Sequence, residues 1–200
     1  MSIIVTLEVS DLKYPNNINH EKKINHANLG MTLEKDINST NAFYVENSIA
    51  IIHKKPTPIQ IVKVDFPARN KAKITEAYYR EASTTDYNGV YKGYYIDFDC
   101  KETKSKTSFP FKSIHEHQYN HLKAVKKAGG IAFLIIFFVL YNEYYLVPIE
   151  MITDIWDNTD SRSITYKAVK DNAYLINFSY NPRLDYLKAV DKYIASIYPN

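Results

Sequence analysis

Asp86 stands thirteen residues before Asp99, and Asp99-Cys100-Lys101 completes an acid-x-Lys triplet. An acidic residue, a short gap, then acid-x-Lys on a strand is a pattern by which metal-dependent nucleases assemble their sites. A phosphodiester resists hydrolysis because nucleophile and phosphate are both negative. Two carboxylates can hold a hard divalent cation, which draws charge from a phosphoryl oxygen and acidifies a bound water. A lysine beside them can hold that water or stabilise the added charge of a pentacoordinate phosphate. Asp86 and Asp99 are therefore candidate catalytic carboxylates and Lys101 a candidate catalytic cation. The same residues also fit a plain turn at Asp86-Tyr87-Asn88-Gly89 and a solvated strand face, and spacing alone does not choose between the two.

The elements around these residues narrow their placement. Tyr94 to Lys101 alternates as a strand, with Tyr94, Ile96, Phe98 and Cys100 on one face and Tyr95, Asp97, Asp99 and Lys101 on the other. Asp99 and Lys101 thus share a face, and Cys100 points toward the core as a small hydrophobe. Ser113 with Glu116 predicts a capped helix that runs to Gly129-Gly130. Its apolar stripe is Ile114, Gln118, Leu122 and Val125, so an amide sits where an apolar side chain belongs. A buried amide must find a partner or incur a penalty of roughly 1–3 kcal/mol. Its oxygen could serve a metal or a metal-held water, or Gln118 could be a satisfied core glutamine. His117 and His121 have the spacing of zinc ligands. A His-Glu-x-x-His protease motif would need histidine where Tyr119 stands, however, and no further Cys or His group completes a tetrahedral set.

Two hundred residues with 46% hydrophobic content fit one domain with a sizeable core. The single cysteine points to a reducing compartment, and a cytoplasmic location is expected. The longest apolar run, Ile131 to Tyr141, is too short for a bilayer and reads as a buried strand. Residues 1–28 read as a mobile polar tail with no signal peptide, in which Ile3 to Val9 could form a short strand, and 29–200 as the functional domain. A helix is expected from Gly30-Met31-Thr32 to about Asn47, capped by Thr32, with Leu33, Ile37, Thr40 and Tyr44 on one face. Ser48 to His53 reads as a short strand. Ile59 to Asp65 and Ala72 to Tyr79 then predict a two-stranded arm within about 56–80. From Lys54 to Arg80 seven basic residues (Lys54, Lys55, Lys63, Arg69, Lys71, Lys73, Arg80) face two acidic ones, a local excess of five against +3 for the whole chain. That concentration suits a polyanion, with Tyr78 and Tyr79 available to stack on bases, although charged hairpins are commonly just solvated. A strand from Tyr144 to Ile149, a helix around Met151 to Trp156, and a last helix opened by Asn181-Pro182 complete an interleaved α/β or α+β chain.

The blocks Gly30-Met31-Thr32-Leu33-Glu34, His53-Lys54-Lys55-Pro56-Thr57-Pro58 and Ser83-Thr84-Thr85-Asp86-Tyr87-Asn88-Gly89-Val90-Tyr91 closely resemble the RecU family of Holliday junction resolvases. So do Tyr95-Ile96-Asp97-Phe98, Lys101-Glu102-Thr103-Lys104, Thr107-Ser108-Phe109-Pro110, His115-Glu116-His117-Gln118 and Pro182-Arg183-Leu184-Asp185-Tyr186. The resemblance runs from about Leu29 to about Asp191. It implies a restriction-endonuclease-like core, a mixed sheet flanked by helices, with the basic arm as a protruding stalk whose Arg69 lies toward the junction centre. It further implies an endonuclease that resolves four-way junctions in recombination and repair by paired nicks, leaving 5′-phosphates, as a homodimer. Thr84, Asp86, Asp99 and Gln118 match the family's metal positions, Lys101 its transition-state stabiliser, with magnesium as the usual ion and manganese as a substitute. The family is also associated with modulation of the RecA recombinase. Three departures stand out: Asp99 replaces the usual glutamate, Leu29 a basic residue, and Tyr94 and Phe137 expected arginines. A junction-binding or recombinase-regulating module that does not cleave is the alternative, and a less specific nuclease a third.

Overall fold

The computed structural model describes residues 29–68, 71–79 and 84–199. The expected tail of residues 1–28 lies outside them. The centre is β7 (Ile131–Phe138), whose eight residues are all buried. A strand covered on both faces has no solvent side, which is why this stretch reads as an unbroken apolar run. It pairs in parallel with β5 (Tyr94–Thr103) and antiparallel with β8 (Glu143–Pro148). With β1 (Ile51–Lys54), β4 (Tyr87–Tyr91) and β10 (Tyr174–Ile176) they form a six-stranded sheet in the order β1-β4-β5-β7-β8-β10. The parallel pair, β5 and β7, is bridged by a crossover through α2 (Glu116–Lys127), as parallel strands require.

Two cores flank this mixed sheet. On one face α1 (Leu29–Glu46) and α5 (Leu187–Ile197) pack Leu33, Ile37, Tyr44, Leu187, Val190 and Tyr193 against Ile96, Phe98, Phe133 and Ile135. On the other, α2, α3 (Ile149–Trp156) and α4 (Tyr166–Asn172) cover Ala132, Leu134, Ile136 and Phe138. β7 thus feeds alternate residues to opposite cores, as period-two geometry demands. A second sheet pairs β2 (Ile59–Asp65) with β3 (Lys73–Tyr79), and almost all its side chains are exposed. This is the expected two-stranded stalk, a basic ribbon with no core of its own. β6 (Ser108–Pro110) pairs with β9 (Ser163–Thr165) beside α4.

Several boundaries differ from the sequence expectation. Thr32 lies inside α1 rather than capping it, since the helix already includes Leu29. The box that opens α2 is His115 with Gln118, not Ser113 with Glu116. Phe111 and Ile114 both enter the second core, so 111–113 stay in a tight 3-10 turn and the helix waits two residues. The last helix starts at Leu187, not at Pro182, because Leu184 N–H is tied to Thr40 Oγ1 at 3.2 Å and Leu184 and Tyr186 enter the first core. The short β6, β9, β10 and α4 carry too few residues for periodicity to reveal.

Candidate active site

The site begins with a turn. Lys92 and Gly93 both adopt positive φ, 49° and 83°, the backbone of a two-residue hairpin whose twist matches its strands. That turn fixes β4 against β5 in the register Tyr87↔Phe98 and Asn88↔Asp97. One step further Asp86 comes opposite Asp99. Tyr87 and Phe98 stack at 5.0 Å in the first core, so their neighbours Asp86 and Asp99 turn to the opposite, α2-covered face. Gly89 makes the next layer possible: a Cβ there would sit 2.0 Å from Ile51 O, so only glycine lets β1 pair at Ile52↔Gly89.

Asp99 is fully buried, and Asp86 half-buried. Asp99 Oδ1 accepts the Cys100 N–H at 2.8 Å. Lys101 Nζ lies 3.1 Å from Asp99 Oδ2 but off the line of a hydrogen bond, leaving that buried oxygen without a hydrogen-bond partner. Lys101 Nζ donates instead to Gln118 Oε1 at 3.1 Å, which also accepts the His115 N–H at 3.3 Å. Gln118 is buried where α2 starts, so its capping bond aims its oxygen at Lys101. Burial pushes the Asp99 carboxyl up to about 7; the adjoining Asp86 adds to the rise and Lys101 opposes it. The charged form of Asp99 is therefore disfavoured by its burial and by the neighbouring carboxylate, a conflict that a divalent cation would relieve.

A second carboxylate shares this face of β5. Asp97 is fully buried, and its Oδ2 accepts from Lys55 Nζ at 2.8 Å, Tyr95 OH at 2.8 Å and His121 Nε2 at 3.0 Å, while Thr85 donates to Oδ1. Burial alone would raise its proton affinity, but these hydrogen bonds outweigh it and hold the carboxyl below its ordinary value. Sequence reasoning places Asp97 on the right face and gives it no role. Its signal is the two-residue step to Asp99.

Thr84 Oγ1 lies 3.2 Å from Lys55 Nζ at the mouth of this network. Asp86, Asp99, Lys101 and Gln118 come together, with Thr84 two residues from Asp86. The strand face that could have been solvated is closed at Asp97 and Asp99. The donor set is two carboxylates, an amide oxygen and a hydroxyl. It suits a hard cation, and magnesium in particular binds through one or two carboxylates and keeps waters. Among the described residues no three His, Cys, Asp or Glu side chains form a metal cluster, and of the two histidines at zinc-ligand spacing His121 turns its Nε2 to Asp97. Of the basic residues, Lys63, Lys71 and Lys73 are exposed on the stalk, and Lys54 pairs with Glu34 at 2.5 Å. The Lys55 side chain is only 16% exposed and turns inward. Arg69 and Arg80 lie outside the described residues. Tyr94 stacks on Tyr198 and Phe137 on Tyr144, so both positions expected to hold arginine serve aromatic packing.

The sequence profile of the family described as RecU, Recombination protein U, matches residues 28–192. A protein of Lactobacillus helveticus (strain DPC 4571) named Holliday junction resolvase RecU is 53% identical over 176 residues, covering 88% of this chain and 84% of the relative. One of the same name from Staphylococcus aureus (strain MRSA252) is 55% identical over 175 residues, covering 86% and 84%. Among solved structures, that of Archaeoglobus fulgidus Hjc, a Holliday junction resolvase, covers 70% of this chain and 92% of its own at 12% identity and a TM-score of 0.40.

Proposed function

The chain belongs to the RecU family, and from that premise we propose that it resolves four-way DNA junctions by metal-dependent hydrolysis. The observation that carries the chemistry is the buried Oδ2 of Asp99, which accepts no hydrogen bond and is set beside Lys101 and across the hairpin from Asp86. Asp86 and Asp99 would hold a magnesium ion, with manganese as a substitute, and Gln118 and Thr84 would complete its shell. Bound there, the cation supplies Lewis acidity at the phosphoryl oxygen and an acidified water. Lys101, steered by Gln118, places its ammonium against the charge that grows on the phosphate in the transition state. Attack by water in line with the departing 3′ oxygen leaves a 5′-phosphate and a 3′-hydroxyl.

The stalk lysines Lys63, Lys71 and Lys73, with Arg69 and Arg80, provide phosphate contacts, and Tyr78 and Tyr79 offer exposed rings near the base of the ribbon. Two symmetric cuts call for two copies of the site, hence a homodimer acting in recombination and repair in the cytoplasm. Modulation of the RecA recombinase belongs to the same proposal. No helix among the described residues is long and apolar enough to cross a membrane.

The test is cleavage of a mobile synthetic junction in magnesium, scored for paired symmetric nicks beside a linear duplex. Wild type cuts the junction in preference to the duplex, and Asp86→Asn, with its fold intact by circular dichroism, does not cut. An Asp86→Asn protein that cleaves at the wild-type rate would refute the site. Junction binding without cleavage by wild type would favour a purely regulatory module.

A further inference from the structure

The proposed chemistry uses the charge of Asp99 and leaves that of Asp97 idle, yet Asp97 is fully buried and hydrogen-bonded on both oxygens. A buried charge is retained only with compensation, and here the compensation is Lys55. The Lys55 ammonium has three N–H donors. Thr84 Oγ1 at 3.2 Å, Thr85 Oγ1 at 2.5 Å and Asp97 Oδ2 at 2.8 Å can take all three. Its backbone N–H meanwhile donates to the Asp86 carbonyl at 2.7 Å, continuing the β1–β4 ladder one step past Lys54↔Tyr87. Lys55 therefore touches Thr84, Thr85 and Asp86 in turn.

Thr84 to Asp86 precede β4 and belong to no strand, although two of the three are candidate cation ligands. Lys55 ties them to Asp97, and Asp97 sits two residues from Asp99 on the same strand. Tyr95 and His121 anchor Asp97 from β5 and α2. Both halves of the ligand set are thus referenced to β5. Lys55 is also the wrong residue to meet a phosphate, since its side chain is 16% exposed against 43% for the adjoining Lys54.

We propose that Lys55 and Asp97 are positioning residues: the pair locks the Thr84–Asp86 segment against β5 and so sets the placement of Asp86 relative to Asp99 that a divalent cation requires. This role rests on the metal site proposed above. Partners that orient ligands in this way typically change metal affinity or activity 10–100-fold when removed, roughly the effect expected here.

The test compares wild type, Lys55→Met and the double variant Lys55→Met/Asp97→Asn as full-length proteins. Manganese binding is followed by electron paramagnetic resonance of the free ion. Junction binding is measured separately in EDTA over a range of salt. Positioning predicts manganese affinity weakened roughly 10–100-fold in both variants, with junction affinity and its salt dependence unchanged. A Lys55→Met protein that binds manganese like wild type but loses junction affinity, with the slope of log K against log salt smaller by about 1, makes Lys55 a phosphate contact and overturns the proposal. A double variant with wild-type manganese affinity also overturns it, because the pair would then only neutralise itself. The double variant leaves no lone buried carboxylate, so it decides the matter if Lys55→Met does not fold. If wild type binds no manganese, the metal site falls and the positioning role with it. If Asp86→Asn abolishes binding and the Lys55 variants do not weaken it, only the positioning role falls.

Discussion

Replacing Asp99 by asparagine should stabilise the metal-free protein while abolishing its activity. In the unfolded chain this carboxyl loses its proton near 3.8, and in the metal-free fold near 7, because it is buried beside Asp86. Between those values the folded state holds a proton that the unfolded state has released, so stability falls as pH rises from about 4 to about 7 and then levels off. At 1.36 kcal/mol for each tenfold change in proton affinity, the whole interval amounts to about 4 kcal/mol. The amide of the variant would carry no charge to bury. It also removes the anion beside Lys101, which takes back part of the gain, so a net stabilisation of about 2 kcal/mol is expected at pH 8. For a chain of this size that corresponds to a melting temperature higher by roughly 4–8 °C. The assay is thermal unfolding in EDTA at pH 8 and pH 4, repeated with magnesium. The variant should melt higher at pH 8, lose that advantage at pH 4, and show no magnesium-induced rise where wild type shows one. A variant less stable than wild type in EDTA at pH 8, or one with an undiminished magnesium response, would refute the reasoning.

Other perturbations probe the remaining parts of the site. Lys101→Ala should lower the single-turnover cleavage rate by roughly 10²–10³ with junction affinity nearly unchanged, if its charge acts on the transition state as proposed. Gly89→Ala should cost about 1–3 kcal/mol in urea unfolding, because the methyl would collide with the Ile51 carbonyl and displace β1. Replacing Lys63, Lys71 and Lys73 together by glutamine should reduce the salt slope of junction binding by about 3 if each meets one phosphate, as read from fluorescence anisotropy. Phe133→Ala should lose about 3–5 kcal/mol by calorimetry, since the ring is fully buried and stacks on Phe98 at 4.9 Å.

Parts of this architecture are legible in the sequence where one physical signal dominates. The apolar run of β7 is complete because both its faces are covered, and the stalk stands out by charge and alternation without large apolar residues. Period puts Asp99 and Lys101 on one face of their strand and marks Gln118 as the amide on an otherwise apolar helix stripe. What escapes depends on contacts distant in sequence. Lys55 looks like one more base in a basic stretch, and only the pairing of β1 with β4 turns it inward toward Asp97. The start of α2 moves because Phe111 and Ile114 are buried together, a tertiary demand that overrides a good capping signal at Ser113. The last helix likewise waits for Leu184 and Tyr186 to enter the first core.

The Lys92-Gly93 turn also works as a ruler. In a hairpin closed by two residues, facing positions have sequence numbers with a constant sum, so their separation is always odd. Asp86 and Asp99 satisfy that condition around this turn. The interval between the two carboxylates is therefore set by folding geometry and cannot drift freely. Removing one residue from the turn would change the parity and send one carboxylate to the wrong side of the sheet, whereas removing one from each strand would shorten the hairpin and keep the acids face to face. Chains that share little else with this one can be searched by the same arithmetic: two acids at an odd interval, a turn dipeptide at their midpoint, and a lysine two places beyond the second.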